Sequence, residues 1–213
     1  MISTSLVLCA CAAVAMTMSI QSVEEMQYTK DPPAFCHKLD CPRYEVVQTF
    51  KDYELRSYLS SMWVATNVTQ MQFTEDDKKK QFNKLLDYIS GQNDRSEKIA
   101  MTAPVLQTIL HGQGPDCEST FTLHFMVPFN LQNSPPQPKA SDVYITSLEP
   151  MDVYVRVFSG YANGTSTQTN LQTLADDIND STKYIPNPYY DAVYDNPFQI
   201  LDRHNEVWLQ AKK

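Results

Sequence analysis

The chain is poor in glycine, in basic charge and in long apolar runs, and each shortage removes a class of function. Five glycines among 213 residues leave no phosphate-cradling loop and no G-x-S-x-G nucleophile elbow. Seventeen Lys and Arg stand against 25 Asp and Glu, a net charge of −8. That balance supplies no basic footprint and argues against nucleic acid and anionic membrane surfaces as partners. Beyond the N-terminal segment, no apolar stretch approaches the ~20 residues of a membrane-crossing helix. The four histidines, His37, His111, His124 and His204, fall in no tight metal-binding spacing. No carboxylates pair in a catalytic frame, and the polar loop around Cys117 lacks the basic setting that activates a thiol. The expectation is a binding protein, not an enzyme, and one without a structural metal.

What is present begins with the first twenty residues, which carry no charged side chain. The apolar run Leu6 to Ala15 is too short to span a bilayer, and Ala13-Val14-Ala15 has the small-x-small form of a signal-peptidase site. Residues 1–15 therefore read as a signal peptide cut between positions 15 and 20, residues 16–43 as an irregular lead-in, and the protein as secreted. Export leaves Cys36, Cys41 and Cys117, which implies one bridge and one odd thiol. Cys36 with Cys41 is the nearest pairing, and Cys117 is a competitor. Sequons at Asn67, Asn163 and Asn179 suit an exported glycoprotein, with Asn163-Gly164-Thr165 reading as an exposed turn.

Twelve Tyr and nine Phe favour a strand-rich interior. Strand-like alternation covers Tyr44 to Val47, Tyr53 to Tyr58 and Trp63 to Val68. Thr74 then caps a helix with acidic residues in its first turn, and Phe82, Leu85, Leu86 and Ile89 form one apolar face that ends at Gly91. The same stripe returns as Leu171, Leu174, Ala175 and Ile178, with Thr169 and Gln172 as its capping box. Leu171 stands 89 residues after Phe82. That offset, applied without a gap, places Val64 on Val153, Thr66 on Val155, Leu55 on Tyr144 and Val105 on Tyr194. The final strands, Phe121 to Val127 and Glu206 to Gln210, match only with a gap. The pattern predicts an α+β fold over residues 44–213. Two pseudo-symmetric β-β-α-β-β halves, about 53–127 and 143–210, curl into a distorted β-barrel with two flanking helices. Asn133 to Pro138 stiffens the crossover, and a cleft between the halves is the expected pocket. His124 is expected to face outward from its strand, and His204 to be solvated in a loop.

Two segments carry a more specific signal, Lys98-Ile99-Ala100-Met101-Thr102-Ala103-Pro104-Val105 and Asn205-Glu206-Val207-Trp208-Leu209 after Tyr189 to Pro197. With Tyr53-Glu54-Leu55-Arg56, Trp63-Val64-Ala65-Thr66 and Val155 to Gly160, they resemble the SOUL/heme-binding protein family, and within it the heme-binding protein 2 branch. The likeness covers roughly Tyr44 to Gln210. It implies the same duplicated barrel and reversible binding of heme or another tetrapyrrole without turnover. It also implies a site near the first helix and the late loop. Some members carry a histidine, proposed as the axial iron ligand, at the position of Ser57. Serine is a poor iron ligand, so an apolar groove without a strong axial protein ligand suits this chain better. Phe82, Leu85 and Ile89 would supply the apolar wall, Met62 and Met101 soft contacts, and Lys78 and Arg203 the cations for the propionates. A carrier of another apolar small molecule and a protein-interaction module are the competing expectations.

Overall fold

The computed structural model describes residues 32–114 and 117–213. The stretch expected as a signal peptide and the start of the expected lead-in lie outside those residues. The described chain runs β1 (Tyr44–Thr49), β2 (Glu54–Tyr58), β3 (Ser61–Gln70), α1 (Glu75–Ile89), β4 (Val105–Leu110) and β5 (Ser119–Met126). It continues β6 (Tyr144–Leu148), β7 (Met151–Phe158), α2 (Gly164–Ile178), β8 (Tyr184–Val193) and β9 (Asn205–Ala211). All nine strands join one antiparallel sheet in the order β1-β2-β7-β9-β8-β4-β5-β3-β6, curled into a half-barrel.

That order reads as a mirror about the β4–β8 pair. β5 answers β9, β3 answers β7 and β6 answers β2, so the two halves are related by a pseudo-twofold axis through the centre of the sheet. β1 is an addition outside the repeat, paired only with β2. The 89-residue offset holds through the first two strands and the helix of each half. Those strands pair across the halves, β2 with β7 and β3 with β6. It breaks at the next strand. Val64 pairs with Phe125, which pairs with Val105; Val153 pairs with Gln210, which pairs with Ile185. Val105 therefore corresponds to Ile185, not to Tyr194. The cause is the unequal length of the connections, since residues 90–104 lead from α1 to β4 while only residues 179–183 lead from α2 to β8.

Both faces of the sheet are covered. Inside the curl lie Trp63, Leu106, Met126, Val153, Tyr190 and Trp208. On the convex face α1 buries Leu85 and Ile89 against Val64, Leu123 and Phe125, and α2 buries Leu174 and Ile178 against Tyr154, Val207 and Leu209. Thr74 caps α1 as expected, in a reciprocal capping box with Asp77. α2 starts earlier than expected. Its N-cap is Asn163, boxed with Ser166, and Thr169 and Gln172 lie inside the helix.

Cys36 and Cys41 are joined, and Cys117 is free and exposed. The bridge folds the lead-in over one end of the barrel. Phe35 stacks on His204 at 3.9 Å and meets Tyr194 edge-on, while Asp40 accepts a hydrogen bond from the Ala103 N–H and another from the Phe129 N–H. What the sequence presents as irregular is a plug.

Candidate functional site

The residues expected to line a groove separate into three groups. Phe82, Leu85, Ile89 and Met101 come together in one cluster beneath α1, where Leu85 is fully buried and only Phe82 and Met101 are half-exposed. Met62 stands apart on β3, its main chain clamped on both sides by the Gln132 amide. Lys78 turns towards the pseudo-twofold axis and pairs with Asp191 at 3.4 Å. Arg203 is buried and bonded to backbone. Its guanidinium donates to the carbonyls of Asn196, Gln199 and Asp195 and lies over the Tyr161 ring. It holds the β8–β9 loop in shape, and its fork is filled by those carbonyls.

That loop carries the most exposed apolar side chains of the described chain. Phe198, Ile200 and Leu201 are 90%, 72% and 76% exposed. Large apolar side chains grouped this way on a surface mark a binding site more often than a scattered single one does. The sequence carries a signal for it, since Pro197-Phe198-Gln199-Ile200-Leu201 is an apolar cluster in the late loop, from which the expected groove lining takes Arg203 alone.

Where β4 and β8 meet, a cleft of about 220 Å³ lies between the starts of the two helices. Gln107, Ile109, Tyr189 and Asp191 face it from the sheet, Lys78 from α1 and Thr167 from α2. Burial raises the Asp191 carboxyl above its ordinary pKa, and Lys78 pulls it back down. This is the cleft between halves that the duplication predicts.

The barrel interior holds a third polar constellation. Arg56 Nη1 donates to Glu206 Oε1 at 2.9 Å, while the Tyr194 hydroxyl and the Trp208 indole N–H each donate to Oε2 at 2.8 Å. His204 is not solvated as expected; it lies 2.7 Å from Glu206 and is sandwiched against Phe35. His124 also departs from expectation. It points inward, 5% exposed, with Nε2 3.1 Å from the Thr108 hydroxyl, and burial lowers its pKa to about 4, so it stays neutral. Among the described residues no three His, Cys, Asp or Glu side chains converge as a metal site.

A family model described as "SOUL heme-binding protein" matches residues 39–210, which takes in β1 to β8, both helices and all but the last residue of β9. The chain belongs to the SOUL family. Mouse heme-binding protein 2 is 40% identical to this SOUL chain over 161 residues, 75% of the chain and 78% of the relative. Human heme-binding protein 2 matches at the same identity and coverage. Mouse heme-binding protein 1 is 31% identical over 127 residues, 59% of the chain and 67% of the relative. Among solved structures, the EcmrR C-terminal domain superposes with a TM-score of 0.54 at 11% identity, covering 78% of this chain and 99% of that one. That likeness shows a shared fold alone. Within the SOUL chain, Ser57 is half-buried on β2 between Glu45 and Asp152, and it offers no nitrogen to iron.

Proposed function

We propose that the protein is a secreted, non-catalytic carrier or scavenger that binds heme or a related tetrapyrrole. The ring would be held on an apolar surface formed by the late loop and the α1 side of the barrel. The observation that carries this reading is the 40% identity to two proteins named heme-binding protein 2 across three quarters of the chain. The exposed Phe198, Ile200 and Leu201 support the location. Covering such a side chain fully contributes about 1.5–3 kcal/mol, so a porphyrin face laid on three of them has a sufficient driving force without a metal–ligand bond. Phe82 and Met101 would meet the ring from α1, with Met62 at the barrel edge. Leu85 and Ile89 would support that wall from beneath. Lys78 is the cation for a propionate, at the expense of its pair with Asp191, and Arg203 acts by holding the loop. The Cys36–Cys41 bridge and the exposed Asn67, Asn163 and Asn179 support passage through an oxidising, glycosylating compartment.

Titrating the mature protein with hemin tests the reading. The expected result is a saturable Soret change with quenching of Trp63 and Trp208. Absence of both refutes it. Replacing Phe198, Ile200 and Leu201 by serine is expected to weaken hemin at least ~10-fold without lowering stability, because the side chains are already in water.

A further inference from the structure

Apart from Lys78, the cleft on the pseudo-twofold axis takes no part in the proposed porphyrin surface, and its chemistry points to a different ligand. Two polar atoms in its floor, Asp191 Oδ1 and Gln107 Nε2, have no hydrogen-bond partner among the described residues, although the Thr167 side chain lies close enough to the Asp191 carboxyl to lower its pKa. Their residues are only 3% and 5% exposed, and they face each other directly in the β4–β8 register. Side chains opposed in this way start from Cβ atoms ~4.5–5.5 Å apart. One neighbouring acceptor and one donor therefore look out of the floor side by side. Leaving such groups unmet costs about 1–3 kcal/mol each, so a molecule that meets both gains by entering.

The charges around the floor exclude simple ions. The Lys78 ammonium is 3.4 Å from Asp191 Oδ2, so the carboxylate is already countered and an organic cation gains little there. Glu75 stands at the entrance and opposes an anion. Apolar rings form part of the walls, beside the polar His111, Asn163, Thr167 and Gln168. Phe73 stacks on Phe121 with ring centres 4.2 Å apart, and Ile109 and the Tyr189 ring complete the slot. The volume of about 220 Å³ falls below the ~300–1,000 Å³ of sites for drug-sized molecules and admits a single ring.

We infer that this cleft is a second ligand site, for a small, flat, uncharged molecule that presents an N–H donor beside a carbonyl acceptor, as a primary amide or a lactam does. The donor goes to Asp191 Oδ1 and the carbonyl takes the Gln107 amide proton. The ring slides between Tyr189 and the Phe73–Phe121 pair.

Three isosteric probes separate the possibilities. Benzamide offers donor and acceptor on one edge, benzoate only acceptors and benzamidine only donors. Amide NMR shifts of Gln107, Thr167 and Gln168 report on the cleft. Benzamide is expected to give saturable shifts in the range of about 1–10 mM, and the other two at least ~5-fold weaker ones. Gln107→Met, which removes the donor at similar size, is expected to weaken benzamide about 3- to 10-fold and to leave hemin binding unchanged. Gly164→Phe provides a variant on the surface: a Cβ at Gly164 meets nothing within 4 Å, so a ring there plugs the entrance without disturbing the core, and benzamide shifts should vanish. Tighter binding of benzamidine or benzoate than of benzamide overturns the inference. So does the persistence of benzamide shifts in Gly164→Phe, or no saturable shift with any probe.

Discussion

Glu206 has no exposed surface, yet it accepts hydrogen bonds from Arg56, Tyr194 and Trp208 and sits 2.7 Å from His204. Burial alone would raise its pKa, but the Arg56 charge and the hydrogen bonds outweigh it and hold the carboxyl at about 2. A carboxylate depressed in the folded state contributes stability that is present above its unfolded pKa and is lost as pH falls from about 4.3 towards 2. Arg56→Met strands that charge and is expected to cost about 3–5 kcal/mol in urea unfolding at pH 7. His124 acts in a higher window. Its folded pKa of about 4 lies below the unfolded value near 6.5, so neutral His124 favours folding above 6.5 and that contribution fades as pH falls through 4. Between pH 7 and pH 5 the wild type should lose roughly 2 kcal/mol through this residue. His124→Leu should flatten that part of the pH profile. Its inward orientation was not legible in the sequence, because β5 is buried on both sides. Leu123 and Phe125 lie under α1 while His124 and Met126 lie within the barrel. Alternation separates two faces, and it names the inner one only when the other is wet.

At the scale of elements, the two helix stripes were the most readable feature, and the structure puts them in equivalent places. Leu85 and Leu174, 89 positions apart, are both fully buried and each pins its helix to the convex face. Leu85→Ala and Leu174→Ala are each expected to cost about 2–5 kcal/mol, with comparable losses in denaturant midpoint as the measurement. A neutral result for either would mean that its helix is not anchored by the stripe. The start of α2 was misplaced for a chemical reason. Asn-Gly-Thr signals a turn, and the same Asn is a good N-cap, so the residue types cannot distinguish a loop from the first step of a helix. The gapless offset failed at β4 because a repeat constrains the packed elements and leaves the connection lengths free. Of the expected groove residues, those drawn from the stripe are the ones that packing covers most. A helical stripe is mostly core, as Leu85 and Ile89 are, whereas Phe198, Ile200 and Leu201 lie on a loop with no period to reveal them.

For the molecule as a whole, the architecture follows from one requirement. A half-barrel has open ends and a bare convex face, and two helices, a crossover and a disulfide-closed lead-in cover them. The Cys36–Cys41 loop is short, so the bridge removes little chain entropy, about 2 kcal/mol in the loop-closure account. Reduction, or the double substitution of Cys36 and Cys41 by alanine, should lower stability by about that amount and loosen Phe35 from His204. The expected sign is visible in urea melts with and without reductant. Family, fold class, duplication and bridge were all legible, because they rest on patterns spread over many residues. The exposed apolar cluster of Phe198, Ile200 and Leu201 was not, because it depends on which apolar side chains remain outside after packing. The most direct test of the account is a parallel titration of the protein with hemin and with iron-free protoporphyrin IX. If the ring is held by Phe198, Ile200, Leu201 and the α1 edge without a strong iron ligand, the two should bind with affinities within about 3-fold of each other. Saturable binding of hemin with none of protoporphyrin would contradict that account.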